Sequence, residues 1–158
     1  MTHIDQIPEA AIERLWREHS RDLVGLATVL VGPTDAQDIA VEALLRAAPA
    51  ADRPGISNTR AFLMRSVVNR AHDLRRSNER RWRRDLAAVG PALTNGPDSF
   101  FDVRRAVSSL SLGQRSVVYF VYWEDLTEAD TADHLGVSLG TVRRHLVRAQ
   151  THLRKALQ

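Results

Sequence analysis

The chain of 158 residues carries a net charge of +3, no cysteine and an aromatic share of only 6%. Without cysteine, neither disulfide bonds nor a thiolate metal site can stabilise the fold, and the low aromatic share argues against a large β-sheet protein. The sequence has neither a signal-peptide pattern nor an apolar run of the roughly 18 residues that span a membrane. We therefore expect a cytoplasmic protein without membrane insertion.

Apolar residues at helical spacing dominate the first half of the chain. The first helix is predicted to begin near Pro8 and to stop at the Gly-Pro pair 32–33. Residues 34–37 read Thr-Asp-Ala-Gln, a capping-box pattern that predicts a second helix ending before Pro49. The Asn-Thr pair at 58–59 can cap a third helix, which continues into an arginine-rich stretch.

The helical periodicity disappears over residues 89–98, where glycine, proline and asparagine predict a flexible linker. We expect one domain on each side of this linker, at residues 1–88 and 99–158. The fold class is therefore predicted to be all-α, with two small helical domains.

The second domain is predicted to contain four helices. Three of them follow a serine or threonine suited to N-capping, namely Ser111, Thr127 and Ser138. The four helices are expected at about 98–109, 111–123, 127–135 and 138–156.

Residues 126–146 have the pattern of a DNA-binding helix-turn-helix. Ala132 supplies a small side chain where the two helices cross, and Gly136 tolerates left-handed backbone geometry at the turn. Val142 and Leu146 can anchor the second helix on the core. An ordinary helical hairpin with a solvated basic face is the alternative. The residues left on or near the outer face, where a recognition helix enters the major groove, are Ser138, Thr141, Arg143, Arg144, His145 and Arg148.

Two basic segments lie on an otherwise balanced chain. Seven arginines and two acids lie between Arg70 and Arg84, and five cations and no acid lie between Arg143 and Lys155. Residues 1–50, by contrast, are net acidic. Separated basic segments indicate two places that contact a polyanion such as DNA, although solvated helix faces would give the same pattern.

Longer motifs carry a family resemblance in both halves. Gln114-Arg-Ser-Val-Val and Leu135-Gly-Val-Ser-Leu-Gly-Thr-Val resemble the promoter-binding fourth domain of extracytoplasmic-function sigma factors, in the sigma-70 superfamily. Asp35-Ala-Gln-Asp-Ile and Ala61-Phe-Leu-Met-Arg-Ser-Val-Val-Asn-Arg resemble the second domain of that family. Two motif sets in the family's order are more specific than either set alone.

The resemblance implies an alternative sigma factor, which binds core RNA polymerase and directs promoter-specific initiation of transcription. The domain at 1–88 would bind core polymerase and the minus-ten element, and the domain at 99–158 the minus-thirty-five element. It also implies control by an anti-sigma factor. No catalysis, cofactor or small-molecule substrate is expected.

Asp35, Asp38 and Glu42 share one face of the second helix, because they lie at i, i+3 and i+7. In the resemblance this helix docks on the clamp helices of the polymerase. Without the resemblance, the same three acids could simply be stabilised by the helix dipole or form a solvated acidic face. A metal site is not expected, because no histidine completes the set.

The resemblance further implies that the third helix and the preceding loop bind the minus-ten element, with one base flipped out of the DNA strand. Ser57 and Asn58 have donors and acceptors for a base edge, but they could also serve only as a helix cap. Trp82 could stack on a base, although we favour a place in the core. The implied minus-ten residues are Ser57, Asn58, Asn69, Arg70, Asp73, Arg75 and Arg76.

Three departures from the family pattern leave an alternative open. Val41 stands where glutamine is usual, the pair 48–49 lacks a tryptophan, and His145 stands where arginine is more common. Val41 favours a free-standing helix-turn-helix regulator that never acts as a sigma subunit.

An enzyme is not expected, because the neighbours His72 and Asp73 point in different directions on a helix.

Overall fold

The computed structural model describes residues 7–51, 53–88 and 99–158, which contain helices and no strand. The all-α prediction is confirmed, whereas the predicted linker at 89–98 lies outside the described residues. The helices are α1 Glu9–Val31, α2 Ala36–Ala51, α3 Thr59–Ala88, α4 Ser99–Ser108, α5 Leu112–Val118 with a π-helical turn Tyr119–Trp123, α6 Glu128–Leu135 and α7 Leu139–Ala156.

The bounds of α2 differ from the prediction at both ends. The first helical hydrogen bond joins Ile39 N to Asp35 O at 3.0 Å, so the capping position is Asp35 rather than Thr34. Pro49 does not end the helix but occupies its last turn. A proline lacks only its own N–H, and the carbonyl that loses its partner belongs to Leu45, whose side chain is exposed.

The N-caps predicted for the last three helices are present. Ser111 Oγ accepts a hydrogen bond from Gln114 N at 3.2 Å, and Gln114 Oε1 accepts one from Ser111 N at 3.1 Å. This reciprocal pair is a complete capping box. The side chains of Thr127 and Ser138 accept in the same way from the third residue of α6 and of α7. The sequence therefore placed these helix starts correctly.

Helices α1, α2 and α3 form the N-terminal bundle. Alanines such as Ala40 and Ala43 are fully buried in α2 and leave room for the large aliphatic side chains of α1 and α3. Burying each of those side chains stabilises the fold by about 1.5–3 kcal/mol. Among the largest fully buried residues are Leu23, Leu26, Leu30, Leu44, Leu63 and Met64.

Helices α4 to α7, with the π-helical turn, form the C-terminal bundle. A compact cluster joins Val117 of α5, Ala132 of α6 and the two α7 residues Val142 and Leu146. Gly136 has a φ of 64° between α6 and α7, the left-handed geometry predicted for the turn. Ala132, Gly136, Val142 and Leu146 thus have the places in the helix-turn-helix that the sequence predicted.

The two bundles pack against each other. Leu112, Tyr119 and Phe120 come from the C-terminal bundle but belong to the main hydrophobic core of α1, α2 and α3. Phe120 is only 1% exposed.

In residues 7–51, 53–88 and 99–158, no helix is both long and apolar enough to cross a membrane.

We predict that Ser111→Ala lowers the free energy of unfolding by about 1 kcal/mol, because the first turn of α5 loses its cap. Urea titration followed by circular dichroism measures this change. Ser108→Ala is the matched control, since the Ser108 hydroxyl is exposed and donates only to the Arg105 carbonyl of its own turn. Equal effects of the two substitutions would contradict the assignment.

Candidate nucleic-acid interface

The outer face of α7 carries three exposed arginines of the predicted recognition helix. Arg143 Nε donates to Glu128 Oε2 at 2.9 Å, so this arginine is tied to α6. Arg144 Nη2 makes only a long contact of 3.4 Å to Thr141 Oγ1, and Arg148 is exposed. Ser138, another of the predicted contacts, caps the helix. The guanidinium groups of Arg144 and Arg148 are thus accessible from solvent.

His145 lies on the inner side of this helix rather than among the exposed arginines. Its ring packs on Gly113, where an added Cβ would come within 2.9 Å of a ring carbon. Its Nδ1 is buried and has no hydrogen-bond partner in the described part of the chain. Burial first, and then the charges of Arg144 and Arg148, lower the pKa of His145.

The predicted minus-ten residues of α3 are partly engaged with α2. Arg70 Nε donates to Glu42 Oε2, so a candidate DNA-binding residue is paired with a candidate polymerase-binding residue. Asp73 Oδ2 lies 3.8 Å from Arg46 Nη1. Asn69 is exposed, as are Arg75 and Arg76 on the following turn.

The loop before α3 contains two of the predicted minus-ten residues. Asn58 Oδ1 accepts a hydrogen bond from Ala61 N at 2.9 Å, so Asn58 caps α3. Ser57 is exposed. Among the candidate polymerase residues, Asp35 and Asp38 are exposed at the start of α2. The Trp82 side chain lies outside the described residues.

Candidate residues from both basic segments meet at one cavity of about 390 Å³ between the bundles. Asn69, Asp73 and Arg76 line it from α3, and Thr141 and His145 line it from α7. His72, which the sequence did not single out for DNA binding, also lines the cavity. Candidate residues of α3 therefore lie opposite Thr141 and His145 at this point, whereas the exposed Arg144 and Arg148 are not among the residues that line the cavity.

Burial lowers the pKa of His72 first, and then the nearby charges of Arg76 and Arg75 lower it further, against an opposite effect of Asp73. The charge of His145 also lowers the pKa of His72, as the charges of the arginines do. Both histidines therefore bind a proton less readily in the folded chain than in the unfolded chain.

In the described ranges, no group of three or more histidine, aspartate or glutamate residues could hold a metal ion.

Sequence reasoning missed the residues that join the bundles. Arg60 Nε donates to Asp22 Oδ2 at 2.7 Å, and its Nη2 donates to Glu124 Oε2 at 2.8 Å. Arg115 Nη1 donates to the Leu30 carbonyl at 2.7 Å. No local pattern predicts these bonds, because their partners lie 38 to 85 residues away in the sequence.

Two known family regions match this chain. Residues 15–81 match Sigma-70 region 2, and residues 100–153 match Sigma-70, region 4. The chain is 32% identical over 156 residues to the ECF RNA polymerase sigma factor SigM of Mycobacterium tuberculosis, covering 93% of this chain and 77% of the relative. It is 30% identical over 132 residues to the RNA polymerase sigma-E factor of Streptomyces avermitilis, covering 80% of this chain and 73% of the relative.

Solved structures share the fold. The sigma factor RpoE of Bartonella quintana, solved with the anti-sigma factor NepR, has a TM-score of 0.70 at 22% identity and covers 92% of this chain and 95% of its own. CnrH, solved with the cytosolic domain of CnrY, has a TM-score of 0.61 at 25% identity and covers 94% and 88%.

We predict that acidification from about pH 7.5 to about 5.5 lowers the free energy of unfolding through His72 and His145. Their pKa values are lowered from 6.5 in the folded chain, so between the two values the unfolded chain binds more protons. Stability is therefore retained above about pH 6.5 and is lost as the pH falls below it. Urea titrations at several pH values measure the slope.

The double variant His72→Gln with His145→Gln should have a flatter stability profile over this range than the unaltered chain. His152→Gln is the control, because His152 is exposed on α7 and contacts Ser109. If the double variant and the control gave equal slopes, the two cavity histidines would not be the source of the pH dependence.

Proposed function

Since the chain belongs to the sigma-70 family of RNA polymerase sigma factors, and within it to the extracytoplasmic-function group, we propose a promoter-recognition role for its two bundles. In this role the protein binds core RNA polymerase and directs promoter-specific initiation of transcription. One observation carries the proposal: regions 2 and 4 occur in that order in a single chain, at residues 15–81 and 100–153.

The C-terminal bundle is proposed to bind the minus-thirty-five element through α7. A helix-turn-helix presents the N-terminal part of its second helix to the major groove. Arg144 and Arg148 are exposed there, and an arginine fork can bind the edge of a guanine in two places. Arg143 is within reach of the same groove, but it must exchange its bond to Glu128 for one to DNA. Exposed ion pairs are weak enough for this exchange.

The N-terminal bundle is proposed to bind the minus-ten element and the polymerase. Asn69, Arg75 and Arg76 are exposed on α3, where they can contact a displaced DNA strand. Asp35 and Asp38 present an acidic face at the start of α2 for the polymerase. The Arg70–Glu42 pair lies between these two surfaces and fixes α2 against α3.

An anti-sigma factor is the proposed regulator, by analogy with the structural relative that was solved with one. Such a partner would cover the surfaces that bind DNA and polymerase. The family is not a class of enzymes, and we extend this to the absence of any catalytic step in this chain. Its place of action is proposed to be the cytoplasm, where RNA polymerase and promoters are found.

The first experiment is capture of bacterial core RNA polymerase by the purified chain, followed by run-off transcription from a library of genomic fragments. We expect stable capture and new transcripts from a defined set of promoters. Sequence-specific DNA binding without capture or transcripts would contradict the proposal. That result would favour the free-standing regulator and make Val41→Gln the next variant.

We predict that Asp38→Arg weakens the association with core polymerase while the helix content is retained, because Asp38 is exposed and its charge is reversed. Titration of labelled polymerase measures the affinity, and circular dichroism monitors the fold. Glu13→Arg reverses another exposed acid, on α1, and is the control. Unchanged affinity of the Asp38 variant would remove the polymerase contact from this face.

We predict that Arg144→Ala weakens binding to the minus-thirty-five element by about 1–3 kcal/mol if Arg144 reads a base. Arg154→Ala is the control, because it removes an exposed arginine from the last turn of the same helix. Competition binding against promoters with substituted minus-thirty-five bases measures both variants. Equal weakening on every sequence would make Arg144 a phosphate contact instead of a base contact.

A further inference from the structure

The cavity between α3 and the helix-turn-helix has an apolar, buried floor. Val117 of α5 is 1% exposed and Val68 of α3 is 5% exposed, and both line the cavity. Leu135 and Val137, at the end of α6 and in the turn that follows it, add further apolar surface. The volume of about 390 Å³ is near the lower end of the range for small-molecule sites. Since a dry cavity of about 150 Å³ can already hold benzene, this one has room for a single substituted ring.

Polar side chains converge at the mouth of the cavity. Asn69, Asp73 and Arg76 share one face of α3, at i, i+4 and i+7, and all three are exposed. Thr141 of α7 lies across from them. The Arg76 guanidinium can bind a carboxylate through two parallel hydrogen bonds, and the Asn69 amide can donate another. Asp73 would repel an anion, but Arg46 Nη1 lies 3.8 Å from its Oδ2 and offsets part of its charge.

His145 has a buried polar atom without a partner at the same cavity. Its ring lines the cavity and packs on Gly113, and its Nδ1 forms no hydrogen bond within residues 7–51, 53–88 and 99–158. A buried polar atom that is left unpaired costs free energy. A ligand oxygen in the cavity would remove this cost by accepting a hydrogen bond from Nδ1.

The charges around the cavity favour an anionic ligand. His72 lines it as well, and burial followed by the charges of Arg76 and Arg75 lowers the pKa of this histidine. Positive charges that hinder the uptake of a proton attract an anion. The charged and titratable groups that act on the two histidines are Arg75, Arg76, Asp73 and His145 for His72, and Arg144 and Arg148 for His145.

We propose that this cavity is a binding site for a small organic anion that has one apolar ring and one carboxylate. The ring packs on Val68, Val117 and Leu135, and the carboxylate lies towards Arg76 and His145. The apolar floor discriminates against inorganic phosphate, which has no apolar surface to bury there. The site needs neither polymerase nor promoter, so its failure and the failure of the proposed function would be seen in different experiments.

Benzoate is the probe for this site. Benzamide has the same shape without the charge, and inorganic phosphate is an anion without an apolar body. Each is titrated into the isotope-labelled full chain while the ring resonances of His72 and His145 are followed by nuclear magnetic resonance. With benzoate we expect saturable shifts of both rings, at a Kd on the order of 1 mM or tighter.

The two comparison compounds decide the class of ligand. We expect benzamide to bind about fivefold or more weakly than benzoate, and phosphate to give no saturable shift. The absence of saturable shifts with benzoate would overturn the site. Equal affinity for benzamide would overturn its preference for an anion, and equal affinity for phosphate would reduce it to an adventitious ion only.

Arg76→Gln tests the source of the positive charge. We expect benzoate to bind roughly tenfold more weakly to this variant, because the two-pronged bond to the carboxylate is lost, and benzamide to bind as before. Arg104→Gln is the control, since it also removes an exposed arginine but from α4, which does not line the cavity. Equal weakening by both substitutions would overturn a direct contact with Arg76.

His145→Phe keeps an aromatic ring against Gly113 and removes both ring nitrogens. We expect weaker benzoate binding, followed at the His72 ring, with the helix content retained in circular dichroism. His152→Phe is the control, because His152 is exposed and contacts Ser109 away from the cavity. Unchanged affinity of the His145 variant would overturn the contact with Nδ1. Arg76→Gln, at an exposed position, tests the site even if the buried substitution unfolds the chain.

The affinity for benzoate should rise as the pH falls from about 8 to about 6. A bound carboxylate favours the protonated form of His72 and His145, so the pKa of each is higher in the complex than in the free folded chain. The complex therefore binds more protons over this range, and binding tightens at lower pH. Benzamide carries no charge and should show a flatter profile. A benzoate affinity independent of pH would overturn the position of the carboxylate beside the histidines.

Discussion

At the end of α1 the carbonyls of Val29 and Leu30 lack helical donors, and the guanidinium of Arg115 bonds to both. The same group bonds to the Leu110 carbonyl just before α5, so it fixes where α5 begins relative to the end of α1. Because Phe120 follows on the π-helical turn of the same segment, this placement inserts it into the core of the N-terminal bundle. Arg115 therefore fixes the relative position of the two bundles together with the Arg60–Glu124 pair and the apolar packing of Phe120.

Small residues set how closely the remaining elements approach. Ala132 lets α6 cross α7 above Val142, which is fully buried. Gly113 leaves space for the His145 ring, and Gly136 leaves space for the Arg65 guanidinium while it makes the left-handed turn. A Cβ at Gly113 would collide with the His145 ring, so this glycine serves packing. At Gly136 the exposed Arg65 side chain can move aside, so the left-handed φ is the constraint there.

Many charges proposed to contact DNA or polymerase already have partners within the protein. Arg70 is paired with Glu42, and Arg143 is paired with Glu128. These pairs are at least partly exposed, so each contributes little stability and can be exchanged for a phosphate or a polymerase side chain. The pair of Arg60 and Glu124 differs in its place, because it joins the two bundles. The first two pairs thus lie within a bundle, and the third lies between the bundles.

The sequence by itself determined the features that depend on a few neighbouring residues. Ser111 and Ser138 form the predicted caps, Asn58 caps α3, and Gly136 makes the turn of the helix-turn-helix. Such features are readable because donor and acceptor lie within one helical turn. Pro49 was misjudged, because the end of α2 depends on packing of its other residues as well as on the missing N–H.

Only the tertiary structure decided how the two bundles meet. The contacts of Arg60 and Arg115 join residues from 38 to 86 positions apart, and neither arginine differs in its local sequence from one that is merely solvated. The burial of His145 against Gly113 is likewise invisible in the periodicity of α7, because a helix pattern identifies a face but not what covers it. Long-range contacts depend on chain topology, which the local spacing of residues does not predict.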